Sequence, residues 1–389
     1  MEQLKPKILI FINTLEAGGA ERVVSLLLQH LQNDIDIHLA LFTKKVDYII
    51  PTSVKILDLQ QPLHQNKFIR LLTLPRQSYI YKYCKAQKIN TSVAFLYRAC
   101  IINALLKKLW RYKGRVIMCE RIHQSAHIQG KPTWYKWLVQ LVIRQVYNSA
   151  NLVLANSQLI KIDLEQNYKI TKPVQVIYNP IDINDVVIKS KEELPLVFDK
   201  NIFCFINVSG FRQQKNHTIL LQAFSLLQNL PCKLLLVGGG VMEQTIKQQV
   251  DDLKINDKVI FCGVNTNPFK YINQSNCFVL SSNAEGFPNV VLEALACSKV
   301  VIATDCNSGP RELLAPATNL HSPAISNYQI AEYGILTPVG DAATLANAMR
   351  RMYEDVELRH QFEVKAKSRA QQFDVAVIKQ YFKQVFIGT

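Results

Sequence analysis

The fold of this chain is set by the segment Ser281-Ser282-Asn283-Ala284-Glu285-Gly286-Phe287-Pro288-Asn289-Val290-Val291-Leu292-Glu293-Ala294. The apolar run before it, residues 277–280, predicts a short buried strand. Gly286 predicts a turn, and Pro288 fits the first turn of a helix, where a missing N–H is not needed. Apolar residues at helical spacing follow. The segment therefore predicts a strand, a turn and a helix in succession.

Two carboxylates belong to this segment, Glu285 on the turn and Glu293 inside the helix. The unpaired N–H groups of a helix start and the helix dipole favour a phosphate group. A carboxylate beside such an anion site is electrostatically costly unless it binds hydroxyl groups, so a sugar and a ribose are natural partners. The alternative is a solvated glutamate on an ordinary loop and a second one on a helix surface.

The segment resembles the E-x7-E motif of the retaining glycosyltransferases of family 4. The resemblance implies that Glu285 contacts the donor sugar and that Glu293 contacts the ribose of a nucleotide-sugar. It also implies that the turn and the helix start bind this donor through Gly286, Phe287, Pro288, Asn289 and Val290. The expected donor is a nucleotide-diphosphate sugar, with a UDP-linked sugar favoured over a GDP-linked one.

Successive strand–loop–helix units predict an α/β fold with two parallel sheets. The resemblance implies two Rossmann-like doubly wound domains that face each other across a cleft, the arrangement called GT-B. The expected domains are residues 1–183 for the acceptor, residues 184–370 for the nucleotide-sugar, and a C-terminal helix at 371–389 that returns to the first domain. Residues 183–200 are interpreted as the linker.

The second domain carries further donor-site candidates. Lys215 matches a lysine that grips the donor diphosphate in the family. The arginine that usually stands five residues earlier is replaced by Gly210, so Arg212 is the nearest substitute, with a surface role as its alternative. Gly239 lies in a triple-glycine loop that the family places near the nucleotide, and Val264 follows a strand end that resembles the contact to the base.

The first domain supplies three candidates. Gly18 and Gly19 open a helix after the first predicted strand, residues 7–12, which favours a close approach to a ligand. A plain tight turn is the alternative. His123 follows a predicted strand at 115–119, and the resemblance implies that it touches the donor sugar, although a merely satisfied or exposed histidine fits the sequence equally well.

Composition restricts the cellular context. The nine cysteines are scattered without a C-x-x-C pair, which favours a reducing cytosol over a disulfide frame or a zinc site. No signal peptide and no apolar run of membrane-spanning length is recognised. Asp34-Ile35-Asp36 is formally a D-x-D metal motif, but its position between a helix and a strand favours a solvated turn. We expect no metal cofactor.

Charge is distributed unevenly. Residues 1–185 contain 25 Lys+Arg against 12 Asp+Glu, whereas residues 186–389 contain 20 against 18. Basic residues mix with aromatic ones at 66–88, at 105–115 and at 134–137. This mixture favours an anionic membrane surface as partner, although aromatic residues in the core beneath a solvated basic face would give the same pattern. A nucleic-acid partner would leave the phosphate site without a purpose, so none is expected.

The resemblance thus implies a retaining glycosyltransferase, with Glu285, Lys215, Arg212 and His123 as its catalytic candidates. It is expected to move a hexose or N-acetylhexosamine to a saccharide or lipid-linked saccharide in lipopolysaccharide, capsule or glycan assembly. The expected location is cytoplasmic, on the inner face of the cell membrane. A nucleotide-sugar epimerase of the same fold and a non-catalytic glycosyltransferase-like subunit are the alternatives.

Overall fold

A computed structural model describes residues 5–60, 77–194, 202–320 and 327–388. The chain forms two compact units, Met1–Pro180 together with Val375–Thr389, and Ile181–Asp374. Each unit contains one sheet with helices on both faces. Among the described residues, no helix has both the length and the apolar character needed to cross a membrane.

The first unit is built on a parallel sheet of seven strands in the order β3-β2-β1-β4-β5-β6-β7. The strands β1 to β7 are Lys7–Ile12, Asp36–Leu41, Lys55–Asp58, Thr91–Phe95, Arg115–Glu120, Leu152–Ala155 and Val174–Val176. Its first six helices, α1 to α6, are Gly19–Leu31, Gln77–Gln87, Tyr97–Lys108, Gln124–His127, Thr133–Tyr147 and Gln158–Gln166. Strands β1, β5 and β6 are buried over nearly their whole length and are largely apolar, because both faces of the sheet are covered.

The second unit has a sheet of seven strands in the order β10-β9-β8-β11-β12-β14-β13, parallel except for β13. The strands β8 to β14 are Phe203–Val208, Cys232–Val237, Val259–Gly263, Cys277–Leu280, Val300–Thr304, Gln329–Ile330 and Ile335–Thr337. The helices α7 to α14 are Ile183–Ser190, His217–Ser225, Glu243–Asp252, Phe269–Gln274, Asn289–Ala296, Pro310–Leu314, Ala342–Glu354 and Val356–Gln371.

The last helix, α15 (Val375–Ile387), belongs to the first unit. Its apolar residues Ile378, Phe382 and Phe386 join the core formed by β1, β2 and α1. Lys383 Nζ also lies 2.8 Å from Asp34 Oδ1. The domain boundaries predicted from the sequence, at 183/184 and 370/371, remain predictions.

The predicted linker at 183–200 is wrong for its first part, because residues 183–190 form the helix α7. The Asp182 side chain caps this helix by accepting a hydrogen bond from the Asp185 amide at 3.0 Å. Lys189 pairs with Asp185 one turn away, and Ile183 and Val186 are buried. The charged residues thus occupy the outer face of an amphipathic helix. Residues 195–200 of the predicted linker lie outside the described residues.

Candidate active site

The strand order explains where the second-unit candidates meet. Strand β8 pairs with β9 on one side and with β11 on the other, so the crossover direction of the chain reverses between β8 and β11. In open α/β sheets, ligands bind at such a switch point, outside the carboxyl ends of the strands. The loop after β8 carries Arg212 and Lys215, and the loop after β11 carries Glu285.

Lys215 and Glu285 form an ion pair at this point. Lys215 Nζ lies 2.7 Å from Glu285 Oε1, with side-chain exposures of 23% and 9%. The buried Ser282 hydroxyl donates to the same oxygen at 2.6 Å. Two donors therefore converge on Oε1, while Oε2 accepts no hydrogen bond from any described residue. The carboxylate is fixed through one oxygen, and the other remains available as an acceptor.

Further hydrogen bonds join the two loops directly. The Asn283 amide donates to the Gln214 carbonyl at 2.8 Å, and the Gln214 side chain donates to the Ala284 carbonyl at 2.5 Å. The Asn216 side chain donates to Asn283 Oδ1 at 2.8 Å. These contacts hold Lys215 and Glu285 on a common support, so their separation does not depend on the ion pair alone.

The start of α11 differs slightly from the prediction. The helix begins at Asn289, and Pro288 is its N-cap with an extended conformation (ψ 104°), rather than a residue of the first turn. Pro288 provides no side-chain acceptor to the first-turn amides. Val290 and Asn289 are half-buried, and Gly286 lies on the turn just before.

Three of the predicted donor-binding residues are buried, namely Phe287, Pro288 and Glu293. Phe287 is 4% exposed, and its ring lies 5.5 Å from that of Phe373, so its side chain contributes to the core. Glu293 is also 4% exposed and lies on the second turn of α11. Any part that Phe287 plays in donor binding is thereby left to its backbone.

The loop after β12 packs against the turn at Gly286 and Pro288. The Ser308 hydroxyl donates to the Gly286 carbonyl at 2.5 Å. Gly309 has a φ of +86°, and a Cβ atom built there would lie 2.6 Å from Pro288 Cδ and 2.8 Å from the Gly286 carbonyl oxygen. Only glycine combines this left-handed conformation with such close contact. Arg311 and Asp305 form a buried ion pair in the same loop.

The Arg212 side chain lies beside Gly210, on the side where a side chain of residue 210 would stand. Its Nε atom lies 3.5 Å from the place where a Cβ of residue 210 would stand. The side chain is exposed and makes no hydrogen bond or ion pair to the described residues. Its guanidinium group therefore lies near the position from which an arginine at residue 210 would extend, and its role remains a prediction.

The triple-glycine loop contacts the loop after β8. A Cβ atom on Gly238 would lie 2.0 Å from the Ser209 carbonyl oxygen, and one on Gly240 would lie 2.7 Å from that of Phe211. Gly239 is close to Val264, whose side chain is 77% exposed. The outer two glycines are thus required by loop packing, whereas Gly239 and Val264 lie together at the surface.

His217 was not recognised from the sequence as part of this region. It is 3% exposed, its Nε2 lies 3.1 Å from Ser209 Oγ, and its ring packs edge-on against Phe211. Burial, assisted by the nearby charge of Lys215, lowers the pKa of His217 to about 4. The histidine is therefore neutral at physiological pH and positions the loop that carries Lys215.

In the first unit, Gly18 is the N-cap of α1 and Gly19 is its first residue. The Glu21 carboxylate folds back over this helix start, since a Cβ on Gly18 would lie 2.2 Å from Glu21 Oε2. The Ala17 amide donates to Asp47 at 2.8 Å, which anchors the turn before the helix. The loop after β1 lies at the switch point of the first sheet, between β1 and β4.

His123 caps the short helix α4, with Nδ1 accepting a hydrogen bond from the Ala126 amide at 3.3 Å. Nδ1 also lies 3.5 Å from Asp163 Oδ2. Burial lowers the pKa of His123, and the Asp163 carboxylate opposes this shift. A neutral imidazole that accepts at Nδ1 carries its proton on Nε2, which can donate to a ligand hydroxyl.

The structure thus brings together the candidates of the second unit, and it places Gly18, Gly19 and His123 in the first unit. Asp36 of the D-x-D motif pairs with Lys55 and Lys7. Within the described parts of the chain, no cluster of His, Cys, Asp and Glu side chains is arranged to hold a metal ion.

Comparison with known proteins agrees with this geometry. Residues 17–185 match the family described as Glycosyltransferase Family 4, and residues 188–369 match Glycosyl transferases group 1. A Campylobacter jejuni protein is 32% identical over 98% of this chain and 100% of its own length. It is named N-acetylgalactosamine-N,N'-diacetylbacillosaminyl-diphospho-undecaprenol 4-alpha-N-acetylgalactosaminyltransferase. The chain belongs to glycosyltransferase family 4.

Solved structures show the same fold for this glycosyltransferase. Sucrose-phosphate synthase from Thermosynechococcus elongatus has a TM-score of 0.82 at 17% identity, covering 99% of this chain and 100% of that one. Anabaena HepE in complex with UDP and glucose has a TM-score of 0.75 at 21% identity, with the same coverage. The predicted GT-B fold of two parallel-sheet α/β domains is confirmed, as is the prediction of a glycosyltransferase.

Proposed function

We propose that this glycosyltransferase moves a hexose or N-acetylhexosamine from a UDP-sugar to a lipid-linked saccharide with retention of the anomeric configuration. The observation that carries the proposal is the fixed Glu285 carboxylate at the switch point of the second sheet. Its Oε1 is held by Lys215 and Ser282, which leaves Oε2 to accept from a sugar hydroxyl. The start of α11 lies directly after it.

Catalysis would consist of stabilising the diphosphate as it leaves. Lys215 and the exposed Arg212 supply two positive charges, and the first amides of α11 supply hydrogen-bond donors. Donors aimed at developing negative charge in a preorganised site contribute about 3–4 kcal/mol each when tested by removal. Two cations and a helix start neutralise a diphosphate without a metal ion, so we propose metal-independent transfer.

The acceptor is inferred from the relative and from charge. The name of the Campylobacter jejuni protein includes a saccharide linked to diphospho-undecaprenol. The similarity to that protein extends over nearly the whole chain. Between residues 59 and 162 the sequence has 17 Lys and Arg and a single acidic residue, Glu120. Glu120 is 4% exposed and accepts hydrogen bonds from Gln124 and Tyr147. The charge of this segment is therefore strongly positive, which suits the anionic membrane on which a lipid-linked acceptor is carried.

Helix α5 supports a position at the membrane. Its inner face buries Ile143, Val146 and Tyr147. A second apolar stripe points outward, with exposed fractions of 67% for Trp134, 63% for Trp137, 44% for Leu138 and 42% for Leu141. These four residues follow helical spacing on one face. Tryptophan and leucine beside lysine and arginine are typical of a helix that lies in the bilayer interface. We accordingly place the protein at the cytoplasmic face of the membrane.

The predicted basic and aromatic stretch at 66–88 supports this placement only in part. Tyr79, Tyr81 and the residues after them belong to α2 or follow it, whereas residues 66–76 lie outside the described residues. Tyr81 stacks on Trp110 with ring centroids 5.7 Å apart, so its ring packs against an aromatic neighbour.

The test is transfer by the purified full chain. UDP-N-acetylgalactosamine, UDP-glucose and GDP-mannose are each supplied with a water-soluble, short-chain polyprenyl-diphosphate saccharide, in the presence of EDTA. We expect transfer from a UDP-sugar, a product whose anomeric configuration by NMR equals that of the donor, and loss of transfer in Lys215→Met.

Three results would contradict the proposal. Conversion of the UDP-sugar to its epimer without acceptor would indicate an epimerase. Saturable donor binding without turnover under any condition would indicate a non-catalytic subunit. Transfer that requires a divalent cation would contradict the metal-independent mechanism.

A further inference from the structure

A cavity of about 620 Å³ lies within the first unit, at the amino ends of β4 and β5. It is formed by the end of α2 and by the loop that precedes β5. Five cationic residues line it, namely Lys85, Lys88, Arg111, Lys113 and Arg115. Gly18, Gly19 and His123 follow the carboxyl ends of their strands, so this cavity lies at the opposite edge of the same sheet.

The cavity has no internal counter-charge. No acidic residue lines it. Lys85, Lys88, Arg111 and Lys113 make no ion pair with any residue that the structure describes. Between residues 59 and 162 the only acidic residue in the sequence is Glu120. Glu120 is buried, and its carboxylate accepts hydrogen bonds from Gln124 and Tyr147. Arg115 differs from these four, because its guanidinium group donates to the Val385 carbonyl at the end of α15. The four cations without an ion-pair partner among the described residues favour a bound anion that comes from outside the chain.

The two loops that carry these charges are tied together. The Tyr112 hydroxyl donates to the Ile89 carbonyl at 2.8 Å, and the Arg115 amide donates to the Asn90 carbonyl, also at 2.8 Å. Lys88 and Arg111 both adopt left-handed backbone conformations, with φ values of +56° and +47°. Such conformations are unfavourable for residues with a side chain and persist only where the surroundings impose them. The cations are thus presented from fixed loops.

Exposed apolar residues adjoin the cavity. Leu109 is 67% exposed and Trp110 is 38% exposed, directly before Arg111. Lys108 donates to Gln145 in the last turn of α5 at 3.1 Å, which brings this loop beside the helix with the outward tryptophans. A soluble anion would not require an apolar rim, whereas a lipid headgroup has acyl chains beside its phosphate.

We propose that this cavity binds the phosphate group of an anionic phospholipid headgroup. Arg111 and the three lysines present donors in several directions, which suits a tetrahedral phosphate better than a planar carboxylate. The proposal rests on the proposed function only for the presence of a membrane, because the cavity lies at the opposite edge of the sheet from Gly18, Gly19 and His123. It adds a specific lipid contact to an otherwise general attraction between a basic surface and anionic lipid.

The test is partition of the full chain onto vesicles of three compositions. These are phosphatidylcholine alone, phosphatidylcholine with phosphatidylglycerol, and phosphatidylcholine with an equal fraction of a diacylglycerol that bears a carboxylate headgroup. We expect the phosphatidylglycerol vesicles to bind more strongly than the carboxylate vesicles of equal charge. In the double variant Lys88→Gln/Arg111→Gln, binding to phosphatidylglycerol should fall about thirtyfold, to the level of the carboxylate vesicles. The matched control is Lys365→Gln/Lys367→Gln, which removes two exposed charges from α14 of the second unit and should change binding less than twofold.

Equal binding to the two anionic vesicles, or equal losses in both double variants, would overturn the proposal in favour of diffuse charge. Binding of glycerol 3-phosphate in solution as tightly as the lipid, by calorimetry, would overturn the lipid assignment and indicate a soluble phosphate ligand. Transfer to the water-soluble acceptor separates this proposal from the proposed function. It should be unchanged in Lys88→Gln/Arg111→Gln, and its absence in the unaltered chain would count against the proposed function alone.

Discussion

Lys215 Nζ lies 2.7 Å from Glu285 Oε1, although 70 residues separate them in the chain. The resemblance implies the lysine as a diphosphate contact and the glutamate as a sugar contact. Their contact means that neither side chain acts alone, since the lysine orients the carboxylate and the carboxylate holds the lysine in place. Substitution of either residue should therefore disturb both proposed contacts.

We expect Lys215→Met and Glu285→Gln each to lower kcat by about a hundredfold to a thousandfold. Because the two residues act as a unit, the double variant should be little worse than the more impaired single variant. Initial rates of transfer to the water-soluble acceptor would measure this. Lys365→Met, an exposed change on α14, is the control and should leave the rate unchanged. Losses that multiply in the double variant would show that the residues act independently.

Ser282→Ala removes the second donor to Glu285 Oε1 and leaves Lys215 in place. A hydrogen bond to a charged group contributes about 1.5–3 kcal/mol, so we expect transfer to fall by roughly tenfold to a hundredfold. The donor KM should rise because the carboxylate is less well oriented. Steady-state kinetics with varied UDP-sugar would measure both constants. Ser225→Ala, on the exposed end of α8, is the control, and equal effects in the two variants would refute a specific role for Ser282.

Much of the fold could be predicted because buried parallel strands are continuous apolar runs. Strands β1 and β11 have the bounds that their runs predict. Strand β4, Thr91–Phe95, was not predicted, since it begins with Thr-Ser and its apolar part is short. Helix α7 was mistaken for a linker because its charged face dominates the sequence, while its contact with α10 depends on the tertiary structure.

Residue types at the candidate site could be predicted, but their mutual contacts could not. Glu285 and Lys215 stand out by motif, whereas their ion pair depends on β8 and β11 being neighbours in the sheet. Ser282 belongs to the motif, yet its hydrogen bond follows from the shape of the turn. Gly309 stabilises this turn from the loop after β12, and no sequence spacing indicates that contact.

The neutral state of His217 makes the second unit sensitive to acid. The pKa of His217 is about 4 in the folded protein, whereas the ordinary pKa of a histidine, which applies to the unfolded chain, is 6.5. The unfolded chain therefore binds more protons than the folded protein between pH 4 and pH 6.5. Stability is therefore fully present above pH 6.5 and is lost as the pH falls toward 4. At pH 5 we expect a loss of about 2 kcal/mol relative to pH 7.5, measured by urea denaturation.

The control for this effect is His217→Gln, which cannot titrate. Its absolute stability should be lower because the buried contacts with Ser209 and Phe211 are altered. Its stability should nevertheless change less between pH 7.5 and pH 5 than that of the unaltered protein. The same pH dependence in both proteins would show that His217 is not the group responsible.

The outward face of α5 should matter for membranes and not for folding. In Trp134→Ser/Trp137→Ser we expect the free energy of unfolding to change by less than about 0.5 kcal/mol, since both side chains are largely exposed. Partition onto phosphatidylglycerol vesicles should fall by about tenfold or more, because apolar surface no longer enters the interface. The control Leu226→Ser/Val364→Ser changes two exposed apolar residues of the second unit. A large loss of stability in the tryptophan variant would show that these residues are part of the core.

Gly309→Ala should impair transfer through the turn that it supports. The new Cβ would lie 2.6 Å from Pro288 Cδ and 2.8 Å from the Gly286 carbonyl oxygen, so the start of α11 must move. Gly340→Ala is a matched control, because Gly340 has a similar φ of +79° and nothing within 4 Å of an added Cβ. Both variants should lose about 1 kcal/mol of stability from the left-handed conformation, measured by thermal denaturation. Only Gly309→Ala should lose further stability and raise the KM for the UDP-sugar, and equal effects in the two variants would show that strain alone is responsible.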